Sequence, residues 1–189
     1  MARFYSQLNC KVILVTRKET LEFIPQRNFF SQVYILKKQN EFEELSQKWP
    51  NKCDLFIIDQ YSKNYDYQKK ISAWAKHIFV IDDFENQKHF CDMTLNQNLD
   101  NNFVLSKSCI KLTGPYFSLL DLEYQIDRKK ALVIRKNNQK IKTILVSFGL
   151  TDYKNLILKI IREISSVDEH VRFIIPLNKK VISKNNLKN

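Results

Sequence analysis

The chain has 189 residues, 44% of them hydrophobic, and a formal net charge of +11 at pH 7. This hydrophobic content excludes a globally disordered chain, and no run approaches the roughly 20 apolar residues of a membrane-spanning helix. The excess of Lys and Arg suggests attraction to phosphates. These residues are scattered along the chain without a nucleic-acid-binding motif, so we expect no nucleic-acid partner.

The cysteine and glycine contents narrow the class of protein further. Four cysteines lie far apart and form no Cys-x-x-Cys pair, which favours buried free thiols over a disulfide framework or a zinc site. The two glycines are fewer than a phosphate-binding α/β protein normally uses in its loops. The first residues do not form the apolar stretch of a signal peptide, so we expect a cytoplasmic protein.

Helical and strand patterns alternate in the first half of the chain. Apolar residues spaced at i, i+3, i+4 and i+7 mark helices, and continuous aliphatic runs mark buried strands. Predicted helices cover residues 1–8, 20–24, 40–49 and 65–76, and predicted strands cover residues 11–16, 32–36, 54–59 and 78–81. This alternation calls for a parallel sheet with right-handed crossovers.

The second half contains a strand, a turn and a helix, followed by a separate strand–helix–strand unit. A short strand within residues 100–113 leads to a Gly114-Pro115 turn and a helix that ends near residue 134. A second unit then follows, with strand 143–148, helix 153–165 and strand 171–175. We therefore predict a first domain at residues 1–134, a polar linker at residues 135–141 and the start of a second domain at residues 142–189.

The strongest site candidate is the stretch at residues 78–99, IFVIDDFENQKHFCDMTLNQNL. Its aliphatic run ends at Asp82 and Asp83, and the carboxyl ends of parallel strands face the ligand crevice of an open α/β sheet. Adjacent strand residues point to opposite faces, so the two carboxylates do not form an obvious acid–base pair. A turn or capping role and a site role both stay open for them.

Both ends of the sequence depart from a complete α/β protein. An open α/β domain usually begins with a strand whose following turn binds phosphate, whereas this chain begins with a predicted helix. One strand–helix–strand unit cannot bury both faces of its sheet alone. We therefore expect the sequence to be the middle piece of a two-domain protein.

Several motifs in this order resemble the UDP-sugar hydrolases of pseudaminic acid biosynthesis, relatives of spore-coat polysaccharide glycosyltransferases. The matching motifs are KVILVTR (11–17), IDQY (58–61), VIDDF (80–84), HFCD (89–92), LNQNL (95–99), LTGPYFSLL (112–120) and ILVSFG (144–149). The resemblance implies a GT-B-like architecture: a Rossmann-like domain that lacks its first strand, plus the first βαβ unit of a second Rossmann-like domain. It also implies hydrolysis at the anomeric carbon of a UDP-sugar, without a metal or other cofactor.

The resemblance also implies site residues. It places the family's site tyrosine at Tyr61, supported by Asp59 as a substrate-binding residue. It places the family's glycine-rich nucleotide-binding turn, and the asparagine after it, at Gly149, Thr151, Asp152 and Asn155. Leu150 stands where the family has a second glycine.

The family's catalytic histidine has no counterpart in this sequence. It belongs to a Gly-x-Gly-His-x-x-Arg loop that does not occur here, and none of His77, His89 and His170 matches it. Three functions stay open: a UDP-sugar hydrolase, a glycosyltransferase of the same fold, and a non-catalytic remnant or binding module. The missing loop predicts that the chain alone is inactive. The exact sugar and the oligomeric state are not predicted.

Overall fold

The structure is a computed structural model that describes residues 1–21, 23–24, 27–83, 88–98, 109–121, 123–137, 141–147, 156–164 and 171–176. The chain divides into two compact units, Met1–Leu120 and Asp121–Asn189. Within the described ranges, no helix is both long enough and apolar enough to cross a membrane.

The first unit alternates helices and strands, as the sequence pattern predicts. Its helices are α1 (Ala2–Gln7), α2 (Lys18–Leu21), α3 (Glu41–Lys48) and α4 (Tyr65–Ile71). Its strands are β1 (Ile13–Thr16), β2 (Gln32–Ile35), β3 (Cys53–Ile58), β4 (Ala75–Ile81), β5 (Met93–Asn96) and β6 (Ile110–Thr113). A short 3-10 helix, Pro115–Phe117, follows β6.

All strand pairs of this unit are parallel, which confirms the predicted α/β class. Strands β3, β4, β5 and β6 form one sheet in sequence order, and β1 and β2 form a separate ladder. Strand β3 pairs with β4 from Cys53 opposite Ala75 to Ile58 opposite Val80. Strand β4 pairs with β5 from Phe79 opposite Met93 to Ile81 opposite Leu95. The carboxyl ends of β3, β4 and β5 therefore lie side by side.

The core lies between the strands and helices α3 and α4. Leu45 of α3 and Ile71 of α4 are fully buried, and they pack in one cluster with Ile58 and Val80 of the sheet. Each of the two helices begins at an asparagine whose side chain accepts a hydrogen bond from the backbone N–H three residues later: Asn40 caps α3 and Asn64 caps α4. Both helices therefore start at a residue type that favours the N-cap position.

The sheet differs from the continuous one that the alternation predicts. Among the described residues, β1 pairs with β2 and β3 pairs with β4, but β1 and β3 do not pair with each other. The doubly wound strand order is 3-2-1-4-5-6. When β1, β2 and β3 of this chain are matched to strands 2, 3 and 4 of that order, strand 1 of the order lies between β1 and β3. Consistent with an open edge, Leu55 of β3 is 36% exposed.

Two local differences from the predicted elements have tertiary causes. Helix α4 ends at Ile71 instead of residue 76, because Trp74 turns to donate its indole N–H to the backbone carbonyl of Trp49, 2.7 Å away. Helix α1 buries none of its residues, although its spacing predicts an apolar face; Phe4 is 60% exposed. The cysteines are free as predicted, but they are not fully buried: Cys10 is exposed and the other three are partly buried.

The second unit contains helices α5 (Glu123–Asn137) and α6 (Leu156–Ile164) and strands β7 (Thr143–Leu145) and β8 (Arg172–Ile174). Strands β7 and β8 are parallel, with Ile144 opposite Phe173, as a strand–helix–strand unit requires. Helix α5 extends to Asn137, into the range predicted as linker. The domain bounds 1–134 and 142–189 stay predictions.

Candidate functional site

Polar side chains follow the strands at the carboxyl edge of the sheet. Asp59 comes directly after β3, Asp82 and Asp83 come after β4, and Asn98 lies just beyond β5. Ligands of open α/β sheets bind outside the carboxyl ends of the strands. This edge is therefore the candidate site of the first unit.

The central contact of the site joins Tyr61 and Asp83. The Tyr61 hydroxyl donates a hydrogen bond of 2.7 Å to Asp83 Oδ1, and the Tyr61 side chain is 52% exposed. This hydrogen bond, together with partial burial and the carboxylate charges nearby, raises the pKa of Tyr61 to about 12. The raised pKa reflects a stable hydrogen bond in which the neutral phenol is the donor and Asp83 is the acceptor.

Asp59 shares the electrostatic environment of this pair. Burial raises the pKa of Asp59 above its usual range, and the negative charge of Asp83 raises it further. The negative charge of Asp83 thus raises the pKa of both site candidates that the structure describes, Tyr61 and Asp59. Asn98, just beyond β5, holds the backbone of Asp83 in place, because its side-chain amide donates to the backbone carbonyl of Asp83.

Asp82 and Asp83 have different surroundings, as strand alternation predicts. Asp82 is only 4% exposed, whereas Asp83 is exposed. Asp82 Oδ2 lies 2.7 Å from Nε2 of His89, which is 2% exposed. The Asp82 carboxylate therefore belongs to the interior beneath the site, and the Asp83 carboxylate belongs to its surface.

Gln68 fixes the tautomer of His89. The Gln68 side-chain carbonyl accepts from the Phe90 N–H at 2.7 Å, so the amide nitrogen must face the other two partners. That nitrogen donates to the Lys63 carbonyl at 2.7 Å and lies 2.9 Å from His89 Nδ1. Nδ1 is therefore the acceptor, and the neutral ring donates its Nε2 proton to Asp82.

A partly buried charge cluster includes Lys63, which also lines the site. Glu41, at the start of α3, contacts Arg17 at 3.1 Å, accepts from the Tyr67 hydroxyl at 3.3 Å and forms an ion pair with Lys63. Burial alone would raise the pKa of Glu41, but the hydrogen bonds and charges of Lys63 and Arg17 lower it below its usual range. Arg17 follows β1 and Lys63 follows β3, so Glu41 links the ends of two strands that do not pair.

A small pocket lies between the Tyr61 pair and the interior network. Its volume is about 10 Å³, room for a single water molecule. It is lined by Gln60, Tyr61, Lys63, Val80, Ile81, Asp82 and His89. A ligand larger than a water molecule would therefore contact the exposed Tyr61–Asp83 surface and not this pocket.

The remaining predicted site residues fall elsewhere. Gly149, Thr151, Asp152 and Asn155 lie outside the described residues. His77, which the sequence motifs do not assign to the site, is exposed and lies 3.9 Å from Asp92. In the part of the chain that the structure describes, no three His, Cys, Asp or Glu residues are grouped to hold a metal ion.

The fold and the polar edge define an α/β protein with parallel, Rossmann-like strands and a candidate ligand site at their carboxyl ends. No protein-family profile matches the chain. It is 28% identical over 137 residues to the UDP-2,4-diacetamido-2,4,6-trideoxy-β-L-altropyranose hydrolase of Campylobacter jejuni, covering 70% of this chain and 48% of that protein. It is 27% identical over 146 residues to an uncharacterized protein of Methanocaldococcus jannaschii, covering 73% of this chain and 30% of that protein.

These similarities support a distant relationship to a nucleotide-sugar hydrolase. The matched regions span less than half of the length of either relative. The alignment to the hydrolase agrees with the resemblance that the sequence motifs indicate.

Proposed function

We propose that the chain derives from a UDP-sugar hydrolase of pseudaminic acid biosynthesis and that its first unit binds the sugar of a UDP-linked diacetamido-trideoxy hexose. The observation that carries this proposal is the Tyr61–Asp83 hydrogen bond of 2.7 Å at the carboxyl edge of the sheet. The similarity to the Campylobacter jejuni hydrolase supports the substrate class.

In the proposed reaction, water attacks the anomeric carbon, the bond from that carbon to the diphosphate oxygen breaks, and UDP leaves with the bonding electrons. A general base must take the proton of the attacking water. The Tyr61 hydroxyl donates its single proton to Asp83, so its oxygen remains able to accept a hydrogen bond from a sugar hydroxyl. We assign Tyr61 this role in the catalytic site, with Asp59 as a nearby acceptor.

The nucleotide would bind to the second unit in this proposal. The resemblance assigns the nucleotide-binding turn to Gly149, Thr151 and Asp152, with Asn155 after it, and the family's turn of this kind binds a diphosphate through backbone N–H groups. The whole protein would then have a GT-B-like architecture with two Rossmann-like domains. A cytoplasmic location belongs to the same proposal.

We also propose that this polypeptide alone is an inactive piece of such a protein. Both ring nitrogens of His89 are engaged, one with Asp82 and one with Gln68, so His89 is poorly placed to activate water. Strands β1 and β3 do not pair in the described part of the chain, and the doubly wound strand order has one further strand between strands at these two positions. Both observations favour the second candidate function, a sugar-nucleotide-binding module without catalysis.

Two measurements on the purified chain test these proposals separately. Calorimetric titration with UDP-2,4-diacetamido-2,4,6-trideoxy-β-L-altropyranose should show binding, weakened about tenfold or more in Tyr61→Phe, whereas Tyr116→Phe, a change at a highly exposed tyrosine, should bind normally. Absence of binding at millimolar concentration would overturn the substrate class. A UDP-release assay should show no turnover, and turnover at the rate of the full-length relative would overturn the inactive-piece proposal.

A glycosyltransferase of the same fold is distinguished by its product. If UDP release requires an added acceptor and the sugar appears on that acceptor, the chain belongs to a transferase. A free sugar as the only product supports hydrolysis.

A further inference from the structure

Cys91 and Cys109 lie side by side at the amino ends of two neighbouring strands. Their Sγ atoms are 3.2 Å apart, although the residues are separated by 18 positions in the sequence. Cys91 precedes β5 and Cys109 directly precedes β6. Both thiols are free and partly buried.

The backbone holds the two cysteines at a spacing that suits a disulfide. Strands β5 and β6 pair in parallel with Met93 opposite Ile110, and the Ile110 N–H donates to the Asp92 carbonyl at 2.8 Å. This register places Asp92 opposite Cys109, so Cys91 is offset from Cys109 by one residue along the strand direction. With about 4.8 Å between strands and about 3.3 Å per residue, such a diagonal falls within the roughly 4.4–6.8 Å that disulfides span between Cα atoms. The sulfurs therefore need to approach by only about 1 Å to reach a bonded S–S distance of about 2.05 Å.

We propose that Cys91 and Cys109 form a reversible dithiol–disulfide site that is oxidised by a low-molecular-weight disulfide such as oxidised glutathione. One protein thiolate attacks the reagent disulfide and releases one glutathione thiolate. The other protein thiolate then attacks the mixed disulfide and releases the second. The two protein thiols lose two electrons and two protons, and one glutathione disulfide becomes two glutathione thiols.

Cys91 is accessible for this exchange. It lines a half-open pocket with a volume of about 260 Å³, formed with Tyr65, Ser72, Ala75, Lys76, Ile78, Phe90 and Asp92. This pocket lies at the amino end of β4, on the opposite edge of the sheet from Tyr61 and Asp83. Oxidation at Cys91 therefore leaves the candidate sugar site uncovered.

The surroundings of Cys91 set the pH at which the exchange becomes fast. Burial raises the pKa of Cys91 well above its usual range, and the Cys109 thiol and the Asp92 charge raise it further. The thiolate is the reactive form. Attack by Cys91 should therefore be slow at neutral pH and accelerate as the pH rises.

The disulfide would stabilise the strand that supports the candidate site. It would tie together the amino ends of β5 and β6, while Asn98, just beyond the carboxyl end of β5, contacts Asp83. Closing the loop between positions 91 and 109 restricts the unfolded chain, which predicts a rise in Tm of roughly 10 °C. The oxidised form should therefore unfold at a higher temperature than the reduced form.

The test uses the full chain incubated with oxidised glutathione at pH 8.5 and digested after acid quenching. Mass spectrometry should find a Cys91–Cys109 linked peptide that has lost two hydrogen atoms and that dithiothreitol separates. Cys53→Ser should behave like the parent chain, because Cys53 is also partly buried but its Sγ contacts the Leu55 carbonyl and not another cysteine.

The two single variants give the complementary result. Cys91→Ala and Cys109→Ala should form no internal disulfide and should instead carry a mixed disulfide with glutathione on the remaining cysteine of the pair. The proposal is overturned if the parent chain, folded by circular dichroism, yields no Cys91–Cys109 peptide, or if its Tm does not rise when that peptide forms. Because the decisive measurement is on the parent chain, misfolding of a variant would not obscure the outcome.

Discussion

The Tyr61 hydroxyl donates a hydrogen bond of 2.7 Å to Asp83 Oδ1 and thereby connects the segment after β3 to the end of β4. The two residues are 22 positions apart in the sequence. The parallel pairing of β3 and β4 brings them together, because the strands end at the same edge of the sheet. The contact orients an exposed phenol towards the region where a ligand of an α/β sheet binds.

The pKa of Tyr61 should depend on Asp83. The carboxylate stabilises the neutral phenol and holds the pKa at about 12. Asp83→Asn removes the negative charge, so the pKa should fall towards the ordinary tyrosine value of about 10. Titration of tyrosines labelled with carbon-13, followed by NMR with Tyr61→Phe for assignment, measures this fall; an unchanged pKa would contradict the hydrogen bond.

The interior network beneath the site should be important for stability. Gln68→Leu removes three hydrogen bonds from the 0%-exposed Gln68 side chain and leaves His89 Nδ1 without its donor. We expect a loss of roughly 2–4 kcal/mol in the free energy of unfolding, measured by urea denaturation. His77→Ala, at a side chain that is 68% exposed, is the control and should change stability by less than about 0.5 kcal/mol.

The neutral tautomer of His89 is a separate expectation. Its proton should reside on Nε2 at neutral pH, because Nδ1 accepts from the Gln68 amide and Nε2 faces Asp82 at 2.7 Å. Nitrogen-15 chemical shifts of the imidazole measure the tautomer. A proton on Nδ1 would require a flipped Gln68 amide, which would break its contacts with Phe90 and Lys63.

Glu41 should stabilise the first unit in a pH-dependent way. Its folded-state pKa lies below its usual range because of Lys63 and Arg17, so its contribution is present above the unfolded-state pKa and is lost as the pH falls through the folded-state pKa. Relative to Glu41→Gln, the parent chain should be more stable by roughly 2 kcal/mol at pH 7, with the difference shrinking in acid. Urea denaturation at pH 7 and at pH 3 measures both values.

The matched control for Glu41 is an exposed ion pair. Asp54 and Lys76 have side chains that are 85% and 55% exposed, so Asp54→Asn should change stability much less than Glu41→Gln does. An equal effect of the two substitutions at pH 7 would show that burial does not strengthen the Glu41 cluster.

The core between α3 and the sheet should be sensitive to truncation. Leu45 is 0% exposed, and Leu45→Ala should lower the free energy of unfolding by about 3 kcal/mol through lost contacts and a residual cavity. Leu8→Ala makes the same chemical change at a side chain that is 58% exposed and should cost less than about 1 kcal/mol. Comparable losses at the two positions would contradict the assignment of Leu45 to the core.

The sequence located the strands and much of the carboxyl edge. Aliphatic runs such as those ending at Ile58 and Ile81 predicted β3 and β4, and the polar residues after them, Asp59 and Asp83, lie where a parallel sheet requires. Strand alternation also predicted the different surroundings of Asp82 and Asp83. These features depend on local periodicity, which a single sequence carries.

The contacts that organise the site could not be predicted from the sequence. The partners of Glu41 lie 22–26 positions away, and Gln68 lies 21 positions from His89. No periodic pattern marks such pairs, since only the packing of α3 and α4 against the strands decides which side chains meet. The HFCD motif singled out His89 and Cys91 but indicated neither Gln68 nor Cys109 as their neighbours.

The amino-acid sequence by itself therefore determined the α/β class, the parallel direction of the strands and the position of Tyr61 after β3, because hydrophobic periodicity and crossover geometry are local properties. Only the tertiary structure decided that Tyr61 meets Asp83, that His89 lies between Asp82 and Gln68, and that Cys91 lies beside Cys109. Strand order and register fix those distances, and they arise from the burial of the whole core.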